Sequence, residues 1–424
     1  MPTIAILGTL DTKGEEHGFV AEQIRARGHK TLVIDVGTVG APTLKPDITR
    51  EEVAELAGIN LAAVMAKNDR GEAVAAMSKA APVILTKLQS GGKIDGVISL
   101  GGGGGTAIAT AGMRALPLGF PKLMVSTLAS GNTAQYVGVK DIVMMPSIVD
   151  VAGLNRISRV ILSRAAGAIC GMMESVVAGV SDPGHSADKP VIVASMFGNT
   201  TECVQRAKKI CEDAGCEVLI FHATGTGGRT MESLIESGLV AGVLDITTTE
   251  WADELVGGVL GAGPTRLDAA AKLGVPQIIA PGCLDMVNFF APETVPAKFS
   301  GRTFYKHNPQ VTLMRTNADE CALLGKILAE KANASRAPVT VLIPKRGVSV
   351  ISAEGGPFHD PAADAALFDA IRSNLKKDIP LAEINCTIND PQFAEACAKA
   401  LLGCIPARGG NTGAERLRAL PDAS

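Results

Sequence analysis

Apolar runs of five or six residues ending in Gly, Ser, Thr or Asp alternate along the chain with longer segments of helical periodicity. Such alternation is the pattern of βαβ units, whose strands are buried on both faces and so read as continuous apolar runs. In the first half the expected strands are Thr3–Leu7, Thr31–Asp35, Gly96–Leu100, Lys122–Ser126 and Ile142–Met145. In the second they are Val191–Ala194, Val218–Phe221, Gly242–Ile246, Gln277–Ala280, Val311–Met314, Val339–Ile343 and Leu381–Asn385. One long helix is expected from Asn155 to about Gly179, apolar on much of its surface, either a core helix or an interdomain or dimer helix. Ser181 to Pro190 is polar and contains Pro and Gly, which reads as a linker. The expected fold class is therefore α/β, with two Rossmann-like subdomains of mostly parallel sheet, residues 1–182 and 183–424.

The halves also match each other. At one constant, gapless offset Gly28 falls on Gly215, Glu15 on Glu202 and Gly40 on Gly227; later in each half, at a different offset, the third strand repeats as Asp95-Gly96-Val97 and Ala241-Gly242-Val243. An internal duplication is the preferred explanation, with convergence between two similar βαβ units as the alternative.

Composition narrows the function. Forty basic residues against 43 acidic give a net charge of −3, and the rings amount to 11 Phe, 2 Tyr and 1 Trp, so neither an electrostatic footprint nor a stacking surface favours nucleic acid. The nine cysteines contain no C-x-x-C pair and read as free thiols in a reducing compartment. The N-terminus lacks a basic region followed by an apolar core, and Ala165–Val180 is interrupted by Glu174, so a cytoplasmic protein without a membrane segment is expected.

Glycine is abundant, and its placement carries the candidate chemistry. Gly101-Gly102-Gly103-Gly104-Gly105-Thr106 lies directly between an expected strand and an expected helix. Glycines let backbone amides approach an anion at a helix N-terminus, where the helix dipole adds about 0.3–1 kcal/mol. No G-x-x-x-x-G-K-[ST] motif is present, and the G-x-G-x-x-A match at Gly102, Gly104 and Ala107 follows the third strand, which disfavours NAD even though Asp35 could hold a ribose hydroxyl. After the first strand, Thr9, Asp11, Thr12 and Lys13 offer two hydroxyls, a carboxylate able to hold Mg²⁺ and an ammonium for phosphate oxygens; the same residues also fit a helix start with Thr12 as N-cap and Glu15 closing a capping box. After the fourth strand, Ser130, Gly131 and Asn132 either donate to a ligand or cap a helix. Asp141 and Asp150 supply further carboxylates or serve only in turns.

In the second half the position of the glycine run is taken by Thr247-Thr248-Thr249-Glu250, where Glu250 would repel an anion. His222, Thr224, Gly225 and Arg229 form a Gly- and Thr-rich loop that, with Glu250, is a candidate substrate site. An isolated histidine such as His222 is more often structural. Arg266 is a weaker anion-binding candidate, Cys283 reads as a packed thiol rather than a nucleophile, and His359-Asp360-Pro361 reads as a helix entry.

The strings Ile6-Leu7-Gly8-Thr9-Leu10-Asp11-Thr12-Lys13-Gly14-Glu15-Glu16, Ser99 to Ala107 and Ser195-Met196-Phe197-Gly198-Asn199-Thr200-Thr201 closely resemble the ATP-binding domain family of the tomato tobamovirus-resistance protein and its uncharacterised bacterial relatives. The resemblance implies two Rossmann-like subdomains, ATP binding with Mg²⁺ and a homodimer. In the plant protein the region precedes a TIM-barrel-like domain, and the chain is expected to lack one, so the implied partner is a separately encoded protein of that kind. Together these readings favour an ATP-using enzyme acting on a small organic acid. The alternatives are a nucleotide-responsive binding module without turnover and a nucleotide-free sugar-acid or acyl-group enzyme. Catalytic residues, substrate and reaction are not identified by the sequence.

Overall fold

A computed structural model of the protein describes residues 1–177 and 189–405. The chain divides into two compact units, Met1–His185 and Ser186–Ser424. Apart from Lys189 and Pro190, the linker expected at Ser181–Pro190 lies outside the described residues, as does the end of the long helix beyond Val177.

In the N-terminal unit the elements run β1 (Thr3–Gly8), α1 (Leu10–Arg25), β2 (Lys30–Asp35), α2 (Arg50–Leu56), α3 (Leu61–Met65), α4 (Arg70–Ser90), β3 (Gly96–Gly101), α5 (Gly103–Arg114), β4 (Lys122–Ser126), α6 (Ala134–Val137), β5 (Val143–Pro146) and α7 (Arg156–Val177). The strands form one parallel sheet in the order β2-β1-β3-β4-β5. Alternate residues of each strand feed opposite faces. Ala5, Leu7, Val97 and Met124 pack against Met77 and Leu85 of α4 and Ile108 and Met113 of α5. Ile4, Ile6, Ile98 and Val125 pack against Val20 and Ile24 of α1 and Leu162, Ala165 and Ile169 of α7. Each such Leu, Ile or Val contributes about 1.5–3 kcal/mol on burial, which holds the strand ends, and the loops that follow them, in fixed register. Helix α7 buries one stripe in this core and leaves Ile157 and Val160 exposed on the other side.

In the C-terminal unit the order is β6 (Val191–Met196), α8 (Thr201–Asp213), β7 (Glu217–His222), α9 (Thr226–Glu236), β8 (Gly242–Thr247), α10 (Glu250–Val256), α11 (Asp268–Leu273), β9 (Gln277–Gly282), β10 (Met286–Phe289), β11 (Phe304–Asn308), β12 (Val311–Arg315), α12 (Ala318–Asn333), β13 (Val339–Pro344), α13 (Pro361–Asn374), β14 (Leu381–Ile384) and α14 (Pro391–Leu402). Six strands form a parallel sheet, β14-β13-β9-β8-β6-β7. With only its own strands counted in chain order, this sheet begins 2-1-3-4-5, the same doubly wound order as the N-terminal sheet.

The expected strand at Val311–Met314 exists, but it belongs to a separate antiparallel sheet, β10-β12-β11, and not to the parallel series. A short apolar run is buried equally well in either setting, so periodicity alone does not choose between them. Its partners were not expected from the sequence, because β10 is four residues long and β11, Phe-Tyr-Lys-His-Asn, is largely exposed.

The shared strand order supports a duplicated unit, and so do two of the three matched pairs: Glu15 and Glu202 each lie in the first helix of their unit. Gly28 and Gly215 occupy the same turn between first helix and second strand, with φ of 86° and 91° that disfavour any side chain. Gly40 and Gly227 are not equivalent: the first lies in a bend after β2 and the second in the first turn of α9.

Candidate functional site

Doubly wound sheets place ligands beyond the carboxyl ends of their strands, where the winding direction changes; in the N-terminal unit that point lies between β1 and β3. The loops leaving these two strands carry the Thr9–Lys13 motif and the glycine run.

Gly101 ends β3, Gly102 is the N-cap of α5, and Gly103 to Gly105 form its first turn. Residue 102 has extended backbone (φ −86°, ψ −158°) and no side chain caps the helix. The Thr106 amide bonds to the Gly102 carbonyl at 2.8 Å, whereas the amides of Gly103, Gly104 and Gly105 have no acceptor among the described residues. Three N–H groups without an acceptor at the positive end of a helix dipole are an arrangement that suits an anion.

Packing does not account for most of these glycines. None of the five has positive φ. A Cβ on Gly101 would crowd Gly105 at 3.1 Å, and one on Gly104 would meet Val74 at 3.3 Å. At Gly102 and Gly105 the nearest atoms lie at ordinary contact distances of 3.7 and 3.6 Å, and at Gly103 nothing lies within 4 Å. The surroundings are polar. Thr127 Oγ1 is the 3.7 Å neighbour of residue 102, Thr9 Oγ1 lies 4.0 Å from the Cβ position of residue 105, and Arg70 Nη2 lies 4.0 Å from that of residue 104. Arg70 is exposed and makes no ion pair among the described residues. Sequence reasoning missed it, because it lies at the start of α4 and reaches the glycine turn only through the packing of α4 on α5.

The β1 motif divides into solvent-facing and inward-facing parts. Thr9, and not Thr12, is the N-cap of α1, and its hydroxyl lies 3.3 Å from that of the exposed Thr12. Lys13 has non-helical torsions within α1, and its ammonium makes no ion pair among the described residues. Asp11 turns away: its side chain is 1% exposed, and Oδ2 accepts the amides of Thr38, Val39 and Gly40 at 2.9, 2.7 and 3.3 Å. Asp35 holds the amides of Leu10 and Gly37 at 3.1 and 2.8 Å, and burial raises its pKa. Thr106 is buried, with its hydroxyl 2.7 Å from that of Ser126, so it fixes the loop rather than facing solvent. Ser130, Gly131 and Asn132 are exposed; the Asn132 side chain accepts the Ala134 amide at 3.0 Å, ahead of the single turn α6. Asp141 pairs with the buried Lys122 at 2.7 Å and is structural.

In the C-terminal unit the acidic loop folds inward. Arg266, 1% exposed, bonds Asp245 bidentately at 2.6 and 2.5 Å, Glu250 at 2.7 Å and Glu232 at 3.2 Å. Burial opposes the charged guanidinium, and the three carboxylates more than reverse that effect, so its pKa rises. Burial pushes Glu232 up. The other oxygen of Glu250 accepts the amides of Gly225 and Gly228 at 2.7 and 3.0 Å, placing a carboxylate of the chain itself on the N-terminus of α9. Gly228 is required there, since a Cβ would lie 2.1 Å from Glu250. Of the expected substrate residues, Gly225 and Glu250 are thus bound to each other. His222 and Arg229 are exposed, His222 beside the Phe197 ring at 5.3 Å, and Thr224 is half-buried. Cys283 is fully buried, and burial raises its thiol pKa, as for a packed thiol.

The N-terminal domain model of the "Uncharacterised protein family (UPF0261)" matches residues 2–178, and the C-terminal domain model of the same family matches residues 189–405. The chain belongs to the UPF0261 family. A UPF0261 protein of Clostridium tetani is 51% identical over 403 residues, covering 95% of this chain and 98% of that protein. The family extends to plants: the ToMV resistance protein Tm-1(GCR237) of Solanum lycopersicum is 36% identical over 422 residues, covering 96% of this chain and 56% of the tomato protein. Among solved structures, MurG of Acinetobacter baumannii aligns over 95% of this chain and 100% of its own at 12% identity, with a TM-score of 0.22.

Proposed function

We propose that the N-terminal unit binds the phosphates of a nucleoside triphosphate, with ATP as the ligand, at the start of α5. The observation that carries this reading is the uncapped glycine turn: three unpaired amides, open space at residue 103 and an unpaired Arg70 alongside. Hydrogen bonds to a charged phosphate are worth about 1.5–3 kcal/mol each, so three amides and one guanidinium suffice for useful affinity after the cost of association is met. Thr9 and Lys13, on the neighbouring loop, are the second set of phosphate contacts.

Asp11 is poorly placed to hold Mg²⁺ directly: its side chain is 1% exposed, Oδ2 accepts three amides and lies 4.0 Å from the Arg50 guanidinium, and Oδ1 alone is without a partner. No group of three or more His, Cys, Asp or Glu suited to a metal occurs among the described residues. In this reading Mg²⁺ is carried on the phosphates.

Glu250 and Gly225, two of the residues expected to form a substrate site, are bound to each other, and Arg266 is held by three carboxylates, so this reading favours binding without turnover over an ATP-using enzyme for a small organic acid. Calorimetric titration with ATP, ADP and NAD, with and without Mg²⁺, tests the proposal on wild type, Lys13→Ala and Arg70→Ala. ATP binding weakened at least tenfold by Arg70→Ala supports it, and no ATP binding by the wild type refutes it. Phosphate release stimulated by any of a panel of carboxylic acids would return the enzyme reading.

A further inference from the structure

Beside the glycine turn, beyond the ends of β4 and β5, lies an open cleft of about 200 Å³ lined by Ser126, Thr127, Ser130, Ser147, Ile148 and Asp150, among others. Thr127 joins it to the anion-binding turn, being the nearest neighbour of residue 102. The wall has a definite chemical character. Ser126 and Ser147 are occupied internally, the first with Thr106 at 2.7 Å and the second with the Val149 carbonyl at 2.6 Å. The Thr127 and Ser130 hydroxyls and the Asp150 carboxylate have no partner among the described residues. No cationic side chain lines the cleft, so it does not suit a second phosphate, and no aromatic ring lines it to stack on a base.

A carboxylate accepts but cannot donate, so the group that fits beside Asp150 must bring hydrogen-bond donors of its own. Vicinal hydroxyls present two donors to the two oxygens of one carboxylate, while hydroxyls such as Thr127 and Ser130 donate to or accept from the remainder. Ile148 has a φ of 65°, with the Val149 amide bonded to the Ser147 carbonyl at 2.7 Å, and its side chain is 72% exposed at the rim, where it offers an apolar surface to the C–H face of a ring.

We infer that this cleft seats the vicinal diol of the ligand whose phosphate lies at α5, with Asp150 as the residue that reads it. The inference rests on the phosphate-binding reading above. The diol belongs either to the ribose of a nucleotide or to a sugar phosphate, and both present the same chemistry to the cleft.

The test is calorimetric titration of the full chain with ATP, 2′-deoxy-ATP, ribose 5-phosphate and inorganic tripolyphosphate, on wild type, Asp150→Asn and Thr127→Val. Wild type should bind ATP about ten- to a hundredfold more tightly than 2′-deoxy-ATP, the effect of one charge-assisted hydrogen bond. Asp150→Asn should erase that difference and leave tripolyphosphate affinity unchanged; Thr127→Val should reduce the difference in part, with an unaltered melting temperature. Binding of ribose 5-phosphate as tight as that of ATP, and equally dependent on Asp150, identifies a sugar phosphate as the source. Equal binding of ATP and 2′-deoxy-ATP by wild type, or discrimination that survives in Asp150→Asn, overturns the diol seat while leaving the phosphate site standing. Absence of binding by both ATP and tripolyphosphate overturns the phosphate site and this inference with it.

Discussion

Replacing Gly102 with Asp separates the fold of the glycine turn from its proposed use. The backbone of residue 102 is extended, and a Cβ there meets only Thr127 Oγ1 at 3.7 Å, so aspartate fits without rearrangement. Its carboxylate is placed to cap α5, which no side chain does in the wild type. Asp gains a few tenths of a kcal/mol over Gly as an N-cap, and removing a glycine from the unfolded chain adds about 0.4–1 kcal/mol. The net gain of roughly 1 kcal/mol should raise the melting temperature by about 2–4 °C for a domain of this size. The same carboxylate opposes a phosphate. At a separation of about 5 Å and an effective dielectric constant of ~20, each phosphate charge is disfavoured by about 3 kcal/mol, which weakens binding more than a hundredfold. Differential scanning fluorimetry and ATP calorimetry on the same preparation read both effects. A more stable variant that still binds ATP with wild-type affinity would refute the assignment of the anion to α5, and a less stable one would refute the cap geometry.

Further predictions concern the rest of the protein. Gly103→Ala should leave stability unchanged or improved by up to about 1 kcal/mol, as Ala is the better helix former, whereas Gly228→Ala should be destabilising because its Cβ would lie 2.1 Å from Glu250; a pair of thermal melts checks both. Glu250→Ala strips acceptors from Arg266 and from the Gly225 and Gly228 amides, and should cost about 3–5 kcal/mol in urea unfolding; a change within 0.5 kcal/mol would contradict the network. Asp253 is 1% exposed, and burial raises its pKa from 3.8 to about 7, against the hydrogen bonds that it accepts from Asn288. A carboxyl with a raised folded pKa contributes stability that is complete below about pH 4 and is lost as pH rises through about 7. Stability measured across pH 4–7 should therefore fall less steeply in Asp253→Asn than in wild type, and an unchanged slope would contradict this burial.

The parallel sheets were legible because strands buried on both faces leave continuous apolar runs; even the boundaries of Lys122–Ser126 coincide. The small antiparallel sheet was not legible, since exposed β11 has no apolar alternation to announce it. At the candidate site the glycine run was visible as a motif and its position at the start of α5 follows from the strand and helix around it. Hidden from the sequence were contacts made by the fold alone: Arg70 reaching the turn from another helix, and Asp11 and Glu250 turning their carboxylates onto backbone amides of distant loops. A carboxylate in a loop reads the same whether it faces a ligand or holds the chain together; only the positions of the amides around it decide.

The most direct measurement is an amide NMR titration of glycine-labelled protein with ATP, in which Gly103, Gly104 and Gly105 are followed individually. The account predicts that these three resonances shift together and saturate with the calorimetric dissociation constant. ATP binding that leaves all three unmoved would contradict it.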